Sequence, residues 1–357
     1  MSSTMTDDRA ESLRMVRDSA AAVIPADGGF GRVRRLRYTM PGFEPAVWAE
    51  MGALGWIGLR LPEEAGGIGL GMSEACALYE ELGGALVPEP LIAGALSARV
   101  LAAVGEAELL SGLLAGTKLV LTAWQQDPGV LDVPGSPGAP RCFLPMAAGA
   151  EAFLVPVRQD GKLTVRLLKS GSAALEMSET QDGGHYGMLR PDALAGQTLG
   201  GDATDALATA LDEAALGTAA YLLGAMERAF AMTLGYLRDR HQFGKPLGSF
   251  QALQHRAADL KIQLALTRAS VEDAAAKLDQ GAAGAARQAV VSRAKTRAAE
   301  AALRVTREAV QMHGAIGYTD EHDVGLFLRK AMVVANQFGS AAFHRARFMR
   351  YHAATQD

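Results

Sequence analysis

The residues of this chain best suited to chemistry fall in two stretches, residues 236–254 and 311–318. In the first, Arg240 stands in the last turn of a long apolar-striped helix, where a cation suits the C-terminal dipole. His241, Gln242, Phe243 and Gly244 follow, and Lys245-Pro246 ends the helical path. Ser249 is the expected N-cap of the next helix, which puts Gln251 in a first turn whose free N–H groups can meet an anion. In the second stretch Gln311 ends a helix, and Gly314 and Gly317 permit a ligand to approach the backbone closely. Together the two stretches point to holding an extended, phosphate-bearing cofactor. Read alone, Arg240 is more often a helix-end charge than a phosphate ligand, and both readings stand at this point.

Those residues need long helices behind them. Leu207, Leu211, Ala214, Thr218, Leu222, Ala225, Ala229, Met232 and Tyr236 recur at gaps of three and four, which predicts a helix of roughly 45 Å at ~1.5 Å per residue. Leu253, Ala257, Leu260 and Leu264 mark a second helix, residues 284–313 an Ala-rich third, and residues 323–336 and 340–354 two more. Upstream, residues 9–25 read as a helix stopped at Pro25. Two further helical stretches follow a glycine cluster at Gly66, Gly67 and Gly69, the first with Ser73 as expected N-cap. That cluster lacks a preceding strand and the GxGxxG spacing, so it reads as a tight connection. Between these helical regions the β-rich runs KLVLTAW, CFLP, AEAFLVPVR and KLTVRLLKS alternate with Gly/Pro-dense turns, of which residues 128–140 are the longest. The division expected is a helical domain over 1–116, a small antiparallel β-domain over 117–203 and a helical bundle over 204–357.

Composition narrows the function classes. The chain has 357 residues, 49% hydrophobic and 21% charged, as in a well-cored enzyme. A net charge of −4 gives no basic face for nucleic acid. Cys76 and Cys142 lack metal or CxxC spacing and read as small, partly buried apolar residues. The polar, acidic N-terminus carries no secretory signal, and no apolar run is long enough to span a membrane, so the cytoplasm is the expected location.

The stretches RHQFGKPLGSFQALQHRAADL and QMHGAIGYTDEHDVGLFLRKA resemble the two C-terminal signatures of the acyl-CoA dehydrogenase family. WAEMGALGWIGLRLPEEAGGIGL and EELGGALVPEP are similar to its N-terminal helical domain. The resemblance implies a mainly α, multi-domain α+β fold: an N-terminal α-domain, a middle β-barrel, and a C-terminal four-helix bundle. It implies FAD bound across a subunit interface. Arg240, Phe243, Gln251, Gln311 and Gly314 then stand where family members contact the flavin's pyrophosphate and adenosine end, usually that of the neighbouring subunit. Ala315 replaces a usual second glycine.

The family mechanism needs a carboxylate to remove the substrate's α-proton while hydride leaves the β-carbon for the flavin. That base usually lies in a Glu-Gly-Thr triplet, which here falls at Phe338-Gly339-Ser340. Phenylalanine accepts no proton; Ser340 keeps the hydroxyl on the cofactor side. Relatives with the base on the first long bundle helix would place it at Ala214, next to Glu213, and one residue rotates a side chain by about 100°. Glu213 therefore reads as a solvated helix-start carboxylate with a minor claim as base. Glu227 and Glu308 read as exposed helix charges, and Glu321 as structural. The family's flavin loop is reduced to Asp127-Pro128-Gly129.

Adenosine-end residues kept and ring-end residues lost imply the small, base-lacking subunit of a heteromeric acyl-CoA dehydrogenase. Its expected partners are a homologous large subunit carrying the catalytic Glu, an acyl-CoA substrate and an electron-transfer flavoprotein. A self-sufficient homotetramer with a relocated base, and a non-catalytic scaffold, are the alternatives.

Overall fold

Small side chains let the helices of this protein approach closely. In the computed structural model, which describes residues 2–131, 133, 136–159, 161–192 and 196–355, the N-terminal helices are α1 (Ser2–Ser19), α2 (Phe30–Leu36), α3 (Pro45–Ala53), α4 (Met72–Gly84), α5 (Leu91–Val104) and α6 (Ala107–Leu114). Strands β1 (Val120–Thr122), β2 (Arg141–Pro145), β3 (Ala152–Gln159), β4 (Lys162–Lys169), β5 (Ala174–Glu179), β6 (His185–Arg190) and β7 (Gln197–Thr198) follow. Then come α7 (Thr204–Asp239), the short strands β8 (His241–Gln242) and β9 (Lys245–Pro246), α8 (Gln251–Asp279), α9 (Gly284–His313), α10 (Val324–Val334) and α11 (Ala341–Tyr351). The fold is mainly α with a β-region between two helical ones.

Helix α7 runs through the middle of the body, packed on α4, α5 and α9. At its crossing with α4 a Cβ on Gly224 would collide with the Glu80 carbonyl, and one on Gly83 with the Tyr221 carbonyl. Only glycine fits there, so the two backbones touch. One continuous apolar core joins the N-terminal helices, the strands and the bundle.

The β-region forms two sheets, β1-β3-β4-β7 and β2-β6-β5. All pairings are antiparallel except β1 with β3, where Val120 lies opposite Ala152 in a parallel register. The small antiparallel β-domain expected from sequence is present as two sheets, with one parallel pair because β2, which follows β1 in the chain, joins the other sheet. The hairpin β5–β6, unseen in the sequence runs, completes that second sheet.

Two expected caps are also corrected. The N-cap of α4 is Gly71, not Ser73. Asp279, at the far end of α8, accepts from the Met72 and Ser73 backbone N–H groups and from the Ser73 hydroxyl, and pairs with Arg9. The helix start is satisfied from another helix, as orphan N–H groups require. Helix α8 begins after Phe250, while the Ser249 hydroxyl donates to the Pro246 carbonyl at 2.7 Å.

Neighbouring carboxylates on α7 face different ways, as about 100° per residue demands. Asp212 is wholly buried between Arg287 (2.8 Å) and Arg347 (2.5 Å). Glu213 turns toward the N-terminal helices and meets Arg60 at 2.7 Å and Arg99 at 2.9 Å.

Candidate functional site

The chain leaves α7 at Arg240, whose backbone is extended (φ −80°, ψ 120°). It then makes a tight hairpin in which β8 and β9 pair His241 with Pro246 and Gln242 with Lys245. Phe243 and Gly244 form the two-residue turn, with φ of 54° and 78°. Two left-handed residues are what a twisted two-residue hairpin needs, but the conformation is unfavourable for a bulky side chain. The Phe243 ring nevertheless stands 87% exposed, edge-on to Phe250, over whose face Lys245 Nζ sits at 4.3 Å. Arg240 and Gln251 are both exposed nearby. Sequence reasoning saw a helix end here and missed the hairpin.

The second stretch closes α9. Gly314 has φ 67° and ψ −142°, a conformation open only to glycine, and a Cβ there would meet no atom within 4 Å. Gly317 is different: a Cβ there would press on the Val310 carbonyl, so its role is packing. Gln311 is exposed. His313 Nδ1–H donates to the Ala309 carbonyl at 2.7 Å, and burial pushes its pKa down. Its ring stacks on Tyr236 at 4.5 Å and lies 4.5 Å from His322. The stack brings the two stretches together at one end of the bundle.

A cleft of about 450 Å³ opens elsewhere, among α5, the segment after β1, β2, β5–β6 and the residues after α10. Its walls are mainly apolar and aromatic: Leu96, Trp124, Phe143, Tyr186 and Phe338, with the amides of Gln125 and Gln337 among them. Among the described residues its lining carries no Lys, Arg or His, and the one carboxylate there is Glu179, exposed at the end of β5. Phe338 is 8% exposed, and its ring lies 6.3 Å from Trp124 with 17° between planes. Ser340 N-caps α11 by accepting from the Phe343 N–H at 3.2 Å. It adjoins Gly129, where a Cβ would come within 3.2 Å of its hydroxyl. Ser340 therefore stands beside Gly129 at the edge of this cleft without lining it, apart from the Arg240 group.

The turn that carries Phe338 is fastened from behind. Lys295 Nζ donates to the Ala335 carbonyl at 2.7 Å and the Gly339 carbonyl at 3.1 Å. His344 Nε2–H donates to the Phe338 carbonyl at 2.8 Å, leaving Nδ1 to accept from the Ser292 hydroxyl at 3.2 Å. Burial alone pulls the Lys295 amine down to about 7; burial, with Lys295 adding to it, takes His344 to about 3. No sequence signal marked these residues, since a Lys in an Ala-rich helix looks like a surface charge. Lys295 and His313 are eighteen residues apart on α9, or about 27 Å at 1.5 Å per residue, so cleft and hairpin end are well separated.

Glu213 lines neither. It borders a cavity of about 20 Å³ with Arg60 and Arg99, so the solvated carboxylate expected from sequence is a part-buried one held by two guanidiniums. Glu227 pairs with Arg268 at 2.7 Å and Glu308 with Arg256 at 2.8 Å, both half-buried where exposure was expected. Glu321 is exposed. Cys76 and Cys142 are free thiols. Among the described residues no helix is long and apolar enough to cross a membrane.

Residues 6–116 match the family model for the acyl-CoA dehydrogenase N-terminal domain, and residues 204–351 that for the C-terminal domain. Acyl-CoA dehydrogenase IpdE2 of Mycolicibacterium smegmatis is 32% identical over 331 residues, covering 92% of this chain and 95% of that protein. Its Mycobacterium tuberculosis namesake is 32% identical over 90% of this chain and 91% of its own length. Among solved structures, a variant of the Tcur3481-Tcur3483 steroid ACAD superposes with a TM-score of 0.85 at 26% identity, covering 97% of this chain and 99% of that one. The ChsE4-ChsE5 complex from Mycobacterium tuberculosis gives 0.83 at 27%, covering 96% and 97%.

Proposed function

The chain belongs to the acyl-CoA dehydrogenase family of FAD-dependent oxidoreductases, and from that premise we propose that it is the base-lacking subunit of a heteromeric acyl-CoA dehydrogenase. One observation carries this reading: Phe338, at the family's usual Glu position, fills the wall of the cleft with a ring stacked on Trp124. A general base must reach the proton it removes, and the side chain at 338 has no atom to receive one.

The hairpin end fits FAD. An exposed aromatic on a strained turn, a guanidinium and two amides, with an open glycine backbone at Gly314, match the stacking surface, pyrophosphate and adenine edge of a dinucleotide. Arg240 and Gln251 would hold the pyrophosphate, with Phe243, Gln311 and Gly314 at the adenosine end. The separation of about 27 Å along α9 between Lys295, behind the cleft wall, and His313, beside the hairpin, favours service to a site completed by another subunit. When bound, FAD accepts the hydride that leaves the substrate's β-carbon; the homologous large subunit supplies the carboxylate that takes the α-proton. An electron-transfer flavoprotein is the proposed reoxidant and the cytoplasm the proposed location. The proposed division is 1–116, 117–203 and 204–357.

The test is to purify the chain alone and with its homologous partner. Oxidation of acyl-CoA only by the pair supports the reading, and full activity of the lone chain overturns it. A second reading, a self-sufficient homomer, rests on Glu179, which does line the cleft.

A further inference from the structure

The ring at position 338 also divides space. Phe338, Gln337 and Tyr186 form a wall with the cleft on one side and a second cavity of about 80 Å³ on the other. Tyr221 and the Lys330–Asp182 ion pair bound that cavity. At about 30 Å³ per water-sized group it has room for two or three such groups. Gln337 Nε2–H donates to the Tyr186 hydroxyl at 2.9 Å and stiffens the wall.

The wall is held deliberately. Phe338 has φ 52°, a conformation that large side chains keep only where their surroundings over-determine it. Here the surroundings are the Trp124 face, the His344 bond to the Phe338 carbonyl and the Lys295 bonds to the carbonyls at 335 and 339. Lys295 is wholly buried, and the hydrogen bonds it makes among the described residues go to the Ala335 and Gly339 carbonyls of this turn, with no carboxylate beside it. With no cation in the lining among the described residues, the cleft suits an uncharged part of a ligand.

We propose that Phe338, positioned by Lys295 and His344, determines specificity: it ends the cleft at the Trp124–Phe338 stack, admits a short or compact acyl portion, and shuts longer chains out of the cavity behind. The inference rests on the reading of the chain as an acyl-CoA dehydrogenase subunit. Removing the ring joins the two cavities, so chain-length preference is the quantity to measure.

The full chain is titrated calorimetrically with butyryl-CoA and dodecanoyl-CoA, with free CoA as control. Phe338→Ala should raise the affinity for dodecanoyl-CoA relative to butyryl-CoA at least tenfold over the unmodified chain. Phe338→Leu, which keeps apolar bulk and is the milder change to folding, should shift the ratio in the same direction by less. Lys295→Met, which spares the ring but frees its turn, should also shift the ratio; a purely structural Lys295 would change only the melting temperature. An unchanged ratio in both Phe338 variants, or acyl-CoA binding no tighter than CoA, overturns the inference. Heteromer dependence is read separately, from flavin reduction by the chain with and without its partner, so the two ideas can fail independently.

Discussion

The Tyr236 ring lies stacked on the His313 imidazole, 4.5 Å between centroids and 26° between planes. This contact fixes the end of α7 to the end of α9, and so holds the Phe243 hairpin in a set relation to Gln311 and Gly314. Tyr236→Leu should loosen that relation without emptying the core. The expected outcome is a several-fold weaker hold on FAD, seen as a lower flavin-to-protein absorbance ratio after gel filtration, with an unchanged circular dichroism spectrum.

Phe243 offers a cleaner separation of fold from cofactor. Its left-handed backbone costs about 1 kcal/mol that glycine would not incur. Phe243→Gly should therefore leave stability unchanged or raise it by up to about 1 kcal/mol in urea melts, while the flavin content of the complex falls.

Asp212 is a structural counterpart. Removing a buried partner strands charge, at about 3–5 kcal/mol. Asp212→Asn should lower stability by about 3 kcal/mol, because Arg287 and Arg347 lose their shared carboxylate, with chemical denaturation as the measurement.

Lys295 gives a pH signature. Its pKa is near 10.5 unfolded and about 7 folded, so between those values the unfolded chain binds the extra proton and stability rises with pH. The contribution approaches about 1.4 kcal/mol per pH unit and is lost as pH falls toward 7. Urea melts at several pH values between 7.5 and 9.5 should show this slope, and Lys295→Met should flatten it.

Much of the architecture is legible in the sequence. The three-and-four spacing of small apolar residues from Leu207 to Tyr236 lies within a single 36-residue helix, and the motif pair at Arg240 and Gln311 identifies the family before any coordinates. What escaped is long-range. Ser73 looked like a cap because nothing local shows that Asp279 reaches it, and Glu213 looked solvated because Arg60 and Arg99 come from other helices. The hairpin at Phe243 has two-residue strands, too short for any periodicity. The importance of Lys295 depends on which carbonyls the turn at 335–339 presents, a tertiary fact.

The alternative base can be removed directly. Glu179→Gln should leave acyl-CoA oxidation by the heteromer within twofold, since the carboxylate at the cleft mouth is proposed to have no part in proton transfer. A loss of a hundredfold or more in kcat would instead favour the self-sufficient homomer.

The most direct measurement is anaerobic flavin bleaching by acyl-CoA. Acyl-CoA is mixed with FAD and the chain alone, and then with FAD and the complex of the chain with its homologous partner. With the chain alone the flavin absorbance near 450 nm should persist, while with the complex it should be lost within the mixing time of a manual assay. Bleaching by the lone chain at the rate of the complex would show that a base exists within it, and would contradict the account.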